Sequence, residues 1–167
     1  MTSTSSRFRI QFALGALACA ALMGYAFYAQ YELNLEPCPL CIFQRAAVVA
    51  LGIVFLLGAL FGPKSSAGQR TWSVLAVLMA VAGMAVAGKH LWIQSLPPNL
   101  VPECGPPLPY MFKIMSFSKV LTTVFTGSGE CAQINWRFLG LAMPAWVLIC
   151  FVVLAGWALY AGFRRRI

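Results

Sequence analysis

Charge is what this sequence has least of. Asp, Glu, Lys and Arg make up 10% of its 167 residues, against roughly 25% in an ordinary soluble domain. There are only four carboxylates, all glutamate (Glu32, Glu36, Glu103 and Glu130), and a single histidine, His90. With 60% hydrophobic residues, the chain could not cover itself with polar surface in water. That excludes a soluble globular protein and points to a bilayer. The net charge of +8 does not indicate nucleic-acid binding. The cations form short clusters between apolar runs, the pattern of membrane topology signals, rather than a patch interleaved with aromatics. Internal repeats, low-complexity tails, a dinucleotide fingerprint, a haem-attachment motif and iron–sulfur spacing are also missing.

Long apolar runs, by contrast, are plentiful. Four are long enough to span a membrane, at about 10–31, 42–62, 71–92 and 138–163. Roughly 20 apolar residues at about 1.5 Å rise cover the hydrocarbon core. Each must be a helix, because lipid cannot satisfy an open backbone. The first run is longer than a usual signal-peptide core and lacks a convincing cleavage site, so it is read as a span. The expected fold is all-α, an antiparallel four-helix transmembrane bundle forming a single domain over 1–167, with outer loops at 32–41 and 94–137.

Charge sets the orientation. Segments 1–9, 63–70 and 164–167 hold Arg7, Arg9, Lys64, Arg70, Arg164, Arg165 and Arg166 and no carboxylate. The opposite loops hold all four glutamates, with Lys113, Lys119 and Arg137 as their cations away from the membrane edge. The positive-inside rule then places both termini in the cytoplasm and the two loops outside. In a Gram-negative cell this means a multi-pass inner-membrane protein with periplasmic loops, a compartment that permits disulfides.

The long loop begins with a proline-rich stretch, Leu96 to Pro109, expected to be irregular. Tyr110, Ile114, Phe117, Leu121 and Val124 then follow helical spacing, predicting a short amphipathic helix. It either lies on the membrane surface or packs on the bundle. Gly127, Ser128 and Gly129 end it.

Of six cysteines, Cys19 and Cys150 fall deep in the first and fourth runs and read as small apolar fillers. Cys38, Cys41, Cys104 and Cys131 lie outside; an even number there suggests two disulfides, with three possible connectivities. Cys38-Pro39-Leu40-Cys41 opens the second span. Pro39 suits a first helical turn, and the helix N-terminus favours a thiolate at Cys41. Arg45 follows one turn below on the same face. An arginine in an apolar span costs about 2.5–3.5 kcal/mol, so it needs an anionic partner or must snorkel to the headgroups. Topology puts His90 at the outer end of the third span, in the same layer, as an interfacial residue or part of the site. Lys89 reads as an anchor. Cys104 and Cys131 flank the amphipathic segment and could be a static staple. A C-x-x-C disulfide at a helix N-terminus beside an arginine should instead be reducible, which is a catalytic arrangement. No metal site is expected, since two C-x-x-C pairs would favour zinc and only one is present.

Oxidising a dithiol releases two electrons and two protons. A lipid-soluble quinone fits an acceptor at the membrane surface. Arg45 could hold its developing oxyanion, and His90 could do the same or deliver protons.

Cys-Pro-Leu-Cys-Ile-Phe-Gln-Arg (38–45), the Lys-His pair closing the third span, the long loop with Cys104 and Cys131, and Asn-Trp-Arg-Phe-Leu-Gly-Leu-Ala-Met-Pro-Ala-Trp (135–146) together resemble the disulfide bond formation protein B (DsbB) family over nearly the whole chain. The resemblance implies a four-helix membrane thiol oxidase, acting as a monomer. It would reoxidise the thioredoxin-fold oxidase DsbA and reduce ubiquinone, or menaquinone in some conditions. It matches Cys104 and Cys131 to the partner-facing pair, Cys38 and Cys41 to the quinone-facing pair, Arg45 to a quinone-linked arginine and His90 to a position near the quinone. Pro39 and Leu40 stand where such motifs vary. The cycle implied is thiolate exchange from the partner through Cys104, with a Cys38–Cys131 interloop disulfide on the way to Cys41. The rival readings are a quinol-driven reductase using the same residues, a quinone-linked reductase of the vitamin K epoxide type, and a non-enzymatic membrane scaffold stapled by two disulfides.

Overall fold

Prolines, glycines and one serine mark where the long helices begin and end. The computed structural model describes residues 4–101, 108–126, 129–134 and 136–164. Helix α1 runs Thr4–Tyr31. Helix α2 (Pro39–Phe61) opens on Cys38 as its extended N-cap, with Pro39 in the first turn where its missing N–H costs nothing. It stops at Gly62, which takes the left-handed conformation at φ 46° and returns its N–H to the Gly58 carbonyl at 3.0 Å. Helix α3 (Ser66–Gln94) is capped by Ser65, whose hydroxyl accepts from the Gly68 N–H at 3.1 Å.

The fourth span begins later than its apolar run. Strands β1 (Arg137–Phe138) and β2 (Leu141–Ala142) pair antiparallel, with Leu139 and Gly140 at positive φ in the turn. The last long helix therefore starts at Met143, with Pro144 in its first turn, and ends at Phe163. Hydropathy alone cannot separate this hairpin from the helix it feeds. The 21 residues of this helix span about 32 Å, close to the hydrocarbon thickness.

The bundle is a ring. α1 packs on α2, α2 on α3, and α3 on the last helix, which returns to α1. Trp157 closes that seam by donating its indole N–H to the Gln11 carbonyl at 2.9 Å. The core is Phe8, Phe12, Leu51, Phe55 and Phe151 set among small residues such as Ala76, Ala80 and Ala158. Close approach depends on glycine: a Cβ at Gly83 would overlap the ring of Phe151, and one at Gly58 would overlap that of Phe12. Apolar side chains also cover the outside. Leu17 and Phe61 are 71% and 70% exposed, which is stable only against lipid. All four long helices are long and apolar enough to cross a membrane.

The loop segments are not one amphipathic helix. They fold as α4 (Leu108–Ile114), α5 (Phe117–Thr126) and α6 (Gly129–Ala132), which makes the last long helix α7. Met111 and Val120 turn inward with Cys131 onto Leu40 of α2 and Ile93 of α3. Tyr110 and Ile114 of the expected stripe stay exposed, while Met111 and Val120 form the face that docks on the bundle. The side chains of Phe117, Leu121 and Val124, and residues Gly127 and Ser128, lie outside what is described. Burying each larger apolar side chain contributes about 1.5–3 kcal/mol, enough in sum to seat α4–α6 on one end of the bundle.

Candidate active site

That seating brings distant thiols together. Cys38 caps α2 and Cys41 lies in its first turn, so their sulfurs meet at 3.1 Å. Cys131, on α6, is fully buried above them. The Sγ atoms of Cys38 and Cys131 and a ring nitrogen of His90 all lie within 4.8 Å of one another. Cys104, the remaining loop cysteine, falls outside the described residues.

His90 is the hinge of the cluster. It is 2% exposed near the end of α3. Its Nε2 is 3.1 Å from the Cys131 carbonyl oxygen and 3.8 Å from Cys38 Sγ. A carbonyl only accepts, so Nε2 carries the hydrogen. On the other side of the ring, Gln44 donates its side-chain amide to Nδ1 at 3.2 Å. Gln44 is itself buried, at 4% exposure. With Gln44 as donor, Nδ1 accepts and the Nε2–H points at the Cys131 carbonyl, with Cys38 Sγ beside it.

Arg45 is tied to the C-terminal end of α1. Its Nη1 donates to Oε1 of Gln30 and its Nη2 to the Ala26 carbonyl at 3.0 Å, both on α1, and it lies over the Phe27 ring at 5.8 Å. Lys89 lies over the Trp92 ring at 3.8 Å.

Beside the thiols is a cavity of about 190 Å³. Cys38, Cys41, Arg45 and His90 reach its wall together with apolar groups from α1 and α7. Trp136 and Trp146 close the loop side. An aromatic chain links Tyr25 to Trp136, then Phe138, then Trp146, whose indole N–H is bonded to the Phe138 carbonyl at 3.1 Å. Cys150 also reaches this wall, whereas Cys19 is buried in the core. Gln30 and Gln44 escaped the sequence reading. Both are polar residues in apolar runs, and Gln44 adjoins Arg45, which was the available signal.

Four membrane-crossing helices with a thiol–imidazole cluster at a single end define a polytopic membrane protein built for thiol chemistry. Over residues 8–161 the chain matches the family described as disulfide bond formation protein DsbB, and it belongs to that family. Disulfide bond formation protein B of Xanthomonas euvesicatoria pathovar vesicatoria is 54% identical over 159 residues, covering 95% of this chain and 92% of that protein. The protein of the same name from Methylococcus capsulatus is 48% identical over 151 residues, 90% of this chain and 92% of that one. That of Hahella chejuensis is 50% identical over 150 residues, covering 89% and 90%. The chain is thus a multi-pass membrane protein of disulfide bond formation, with a disulfide-forming oxidoreductase role.

Proposed function

We propose that this protein oxidises a thioredoxin-fold dithiol partner of the DsbA type and passes the two electrons to a quinone, acting as a single monomeric unit in a bacterial inner membrane. The observation that carries the reading is the cavity wall. It joins a redox-capable cysteine pair to a cation, Arg45, held in place by α1. The mostly apolar lining, the aromatic side and the Arg45 cation, with Glu36 and Glu130 on the same wall, suit a flat lipid-soluble molecule with two carbonyl oxygens. A bound quinone supplies a two-electron, two-proton acceptor at this position.

The chain's own residues do the rest by thiolate exchange. The partner's thiolate attacks Cys104 of a Cys104–Cys131 disulfide and releases Cys131. Cys131 attacks Cys38 of the Cys38–Cys41 disulfide, forming a Cys38–Cys131 bond and freeing Cys41 as a thiolate. The partner's second thiol resolves its mixed disulfide and leaves oxidised, and Cys104 reclaims Cys131, releasing Cys38. Cys38 and Cys41 then close again as two electrons and two protons depart. Overall, one dithiol becomes a disulfide and one quinone becomes a quinol. The 3.1 Å between Cys38 and Cys41 is about 1 Å longer than a disulfide bond, a side-chain rotation away. The His90 Nε2–H holds the Cys131 carbonyl, which seats Cys131 against Cys38 for the interloop step, and it can donate to Cys38 when the return of Cys104 to Cys131 releases Cys38 as a thiolate. Arg45 is placed to hold negative charge developing in the cavity.

The arrangement of charge supports both termini on the cytoplasmic side and the thiol end in the periplasm. The test mixes the purified protein, a reduced DsbA-type oxidase and ubiquinone, and follows quinone absorbance. Catalytic loss of quinone matched by partner disulfide is expected. Thiol exchange with the partner while the quinone spectrum stays unchanged would overturn the acceptor assignment.

A further inference from the structure

The same cluster has a second chemistry once every cysteine is reduced. We propose that the fully reduced protein binds one thiophilic divalent cation, Zn²⁺ or Cd²⁺, through Cys38, Cys131 and His90, with Cys41 as the fourth ligand. This would be an inhibitory trap rather than a resident cofactor.

Geometry carries the proposal. In a tetrahedral zinc site with bonds of about 2.0–2.3 Å, neighbouring ligand atoms stand roughly 3.5–3.8 Å apart. Cys38 Sγ already stands 3.8 Å from His90 Nε2. No pair among the ligand atoms of Cys38, His90 and Cys131 exceeds 4.8 Å. Cys41 Sγ is 3.1 Å from Cys38 Sγ. Side-chain rotations of about 1 Å would bring Cys38, Cys131 and His90 to zinc spacing, and a rotamer change at Cys41, next to Cys38, would complete a Cys₃His set, a donor combination of structural zinc sites. The site is reached by reduction alone: with all disulfides opened, Cys131 presents a thiol whatever its pairing at rest. Binding releases three thiol protons and changes no oxidation state. Three thiolates and a divalent cation leave one negative charge, and Arg45, one turn below Cys41, offsets it.

Gln44 supplies the supporting contact such a site needs. A ligating histidine presents a lone pair from one nitrogen and donates its other N–H to an acceptor. In the thiol state Gln44 donates to Nδ1. If its amide turns over, Oε1 accepts from Nδ1–H and the Nε2 lone pair is freed for the metal. The turn itself moves no atom out of place, because the amide oxygen and nitrogen are alike in size; its cost is the Nε2–H bond to the Cys131 carbonyl, which the metal–ligand bonds replace.

The experiment uses full-length, tag-free protein in detergent, freed of quinone and reduced with a phosphine under argon, with Co²⁺ as the spectroscopic probe. One equivalent should give the intense visible bands of tetrahedral cobalt and a near-ultraviolet thiolate-to-metal band, and one equivalent of Zn²⁺ should bleach both. Cys38→Ser and Cys131→Ser should each lose part of the thiolate band. Cys19→Ala should leave the spectrum unchanged. Gln44→Leu should weaken cobalt binding about 10–100-fold, the usual effect of removing such a support, and Gln44→Glu should restore it. Tryptophan fluorescence melts check that each variant is folded. Weak octahedral cobalt spectra, or binding that survives in Cys131→Ser but fails in Cys41→Ser, would overturn the site. The readout needs neither quinone nor partner, so this proposal and the proposed oxidase activity fail separately.

Discussion

Arg45 of α2 is bonded to Gln30 of α1, side chain to side chain, across the rim of the cavity. The guanidinium is thereby fixed relative to Cys41. A charge-assisted hydrogen bond contributes about 1.5–3 kcal/mol, or roughly 10–100-fold in an equilibrium. Arg45→Met should therefore raise the KM for quinone or lower turnover by about that factor, while exchange between the partner and Cys104 proceeds at its normal rate. Gln30→Ala, which frees the arginine without removing it, should cost about 1 kcal/mol, near fivefold. Steady-state kinetics at varied quinone would decide it; wild-type values for Arg45→Met would reduce the residue to a membrane anchor.

The imidazole of His90 ties the loop carbonyl of Cys131 to the sulfur of Cys38. His90→Phe keeps the ring volume and removes that bridge. The Cys38–Cys131 step should then slow about fivefold, the value of about 1 kcal/mol for the neutral hydrogen bond that seats Cys131. Rapid acid quench with alkylation would show Cys104–Cys131 opening on time and Cys38–Cys131 forming late. A normal interloop rate combined with impaired quinone kinetics would move His90 to the cavity side of the reaction.

Packing of α3 on α7 is open to a stability test. Gly83→Ala places a methyl against the Phe151 ring, and overpacking of this kind costs about 1–3 kcal/mol. The midpoint of thermal unfolding in detergent should fall. Adding Phe151→Leu, which makes room, should recover part of the loss. An unchanged midpoint in the single variant would mean the two helices are not held this close.

The two halves of the C-x-x-C should differ in colour rather than in activity. Cys38→Ser leaves Cys41 as a lone thiolate at the helix N-terminus beside Arg45. An electron-rich sulfur against an electron-poor quinone should give a visible charge-transfer band, bleached as acid protonates the sulfur. Cys41→Ser should stay colourless, and both variants should be inactive in turnover. Colour in Cys41→Ser alone would reverse which sulfur faces the quinone.

Orientation can be read with reporters. A cytoplasm-dependent reporter fused after Ile167 should be active, and a periplasm-dependent one there should be silent. The opposite pattern would invert the thiol end.

The long helices were legible because a bilayer demands long apolar runs; the runs meet the far ends of all four helices and the start of α2 to within a few residues, whereas α1 and α3 begin earlier and α7 later than their runs. Where sequence reading slipped, tertiary packing or backbone geometry had decided the outcome. Apolar content cannot distinguish the hairpin at Arg137–Ala142 from the helix that follows, and the positive φ of Leu139 is invisible in composition. A stripe at helical spacing suggested one helix where α4 and α5 stand, because burial of Met111 and Val120 depends on what lies across from them. Cys38, Cys41 and Arg45 were readable from local spacing. That His90 meets Cys38, 52 positions away, and that Gln44 and Gln30 steady the site, follow from how the helices close into a ring.

Below the thiols, α2 continues from Arg45 to Phe61, about 24 Å of helix at about 1.5 Å per residue. That length is packed by Phe8, Phe12, Phe55 and Phe151. For a water-soluble reductant on the far side of the bilayer this stretch is an insulator. With the proposed function, two compartments at different redox poise can share one thin wall without short-circuiting, and the bundle works as a single-faced electrode.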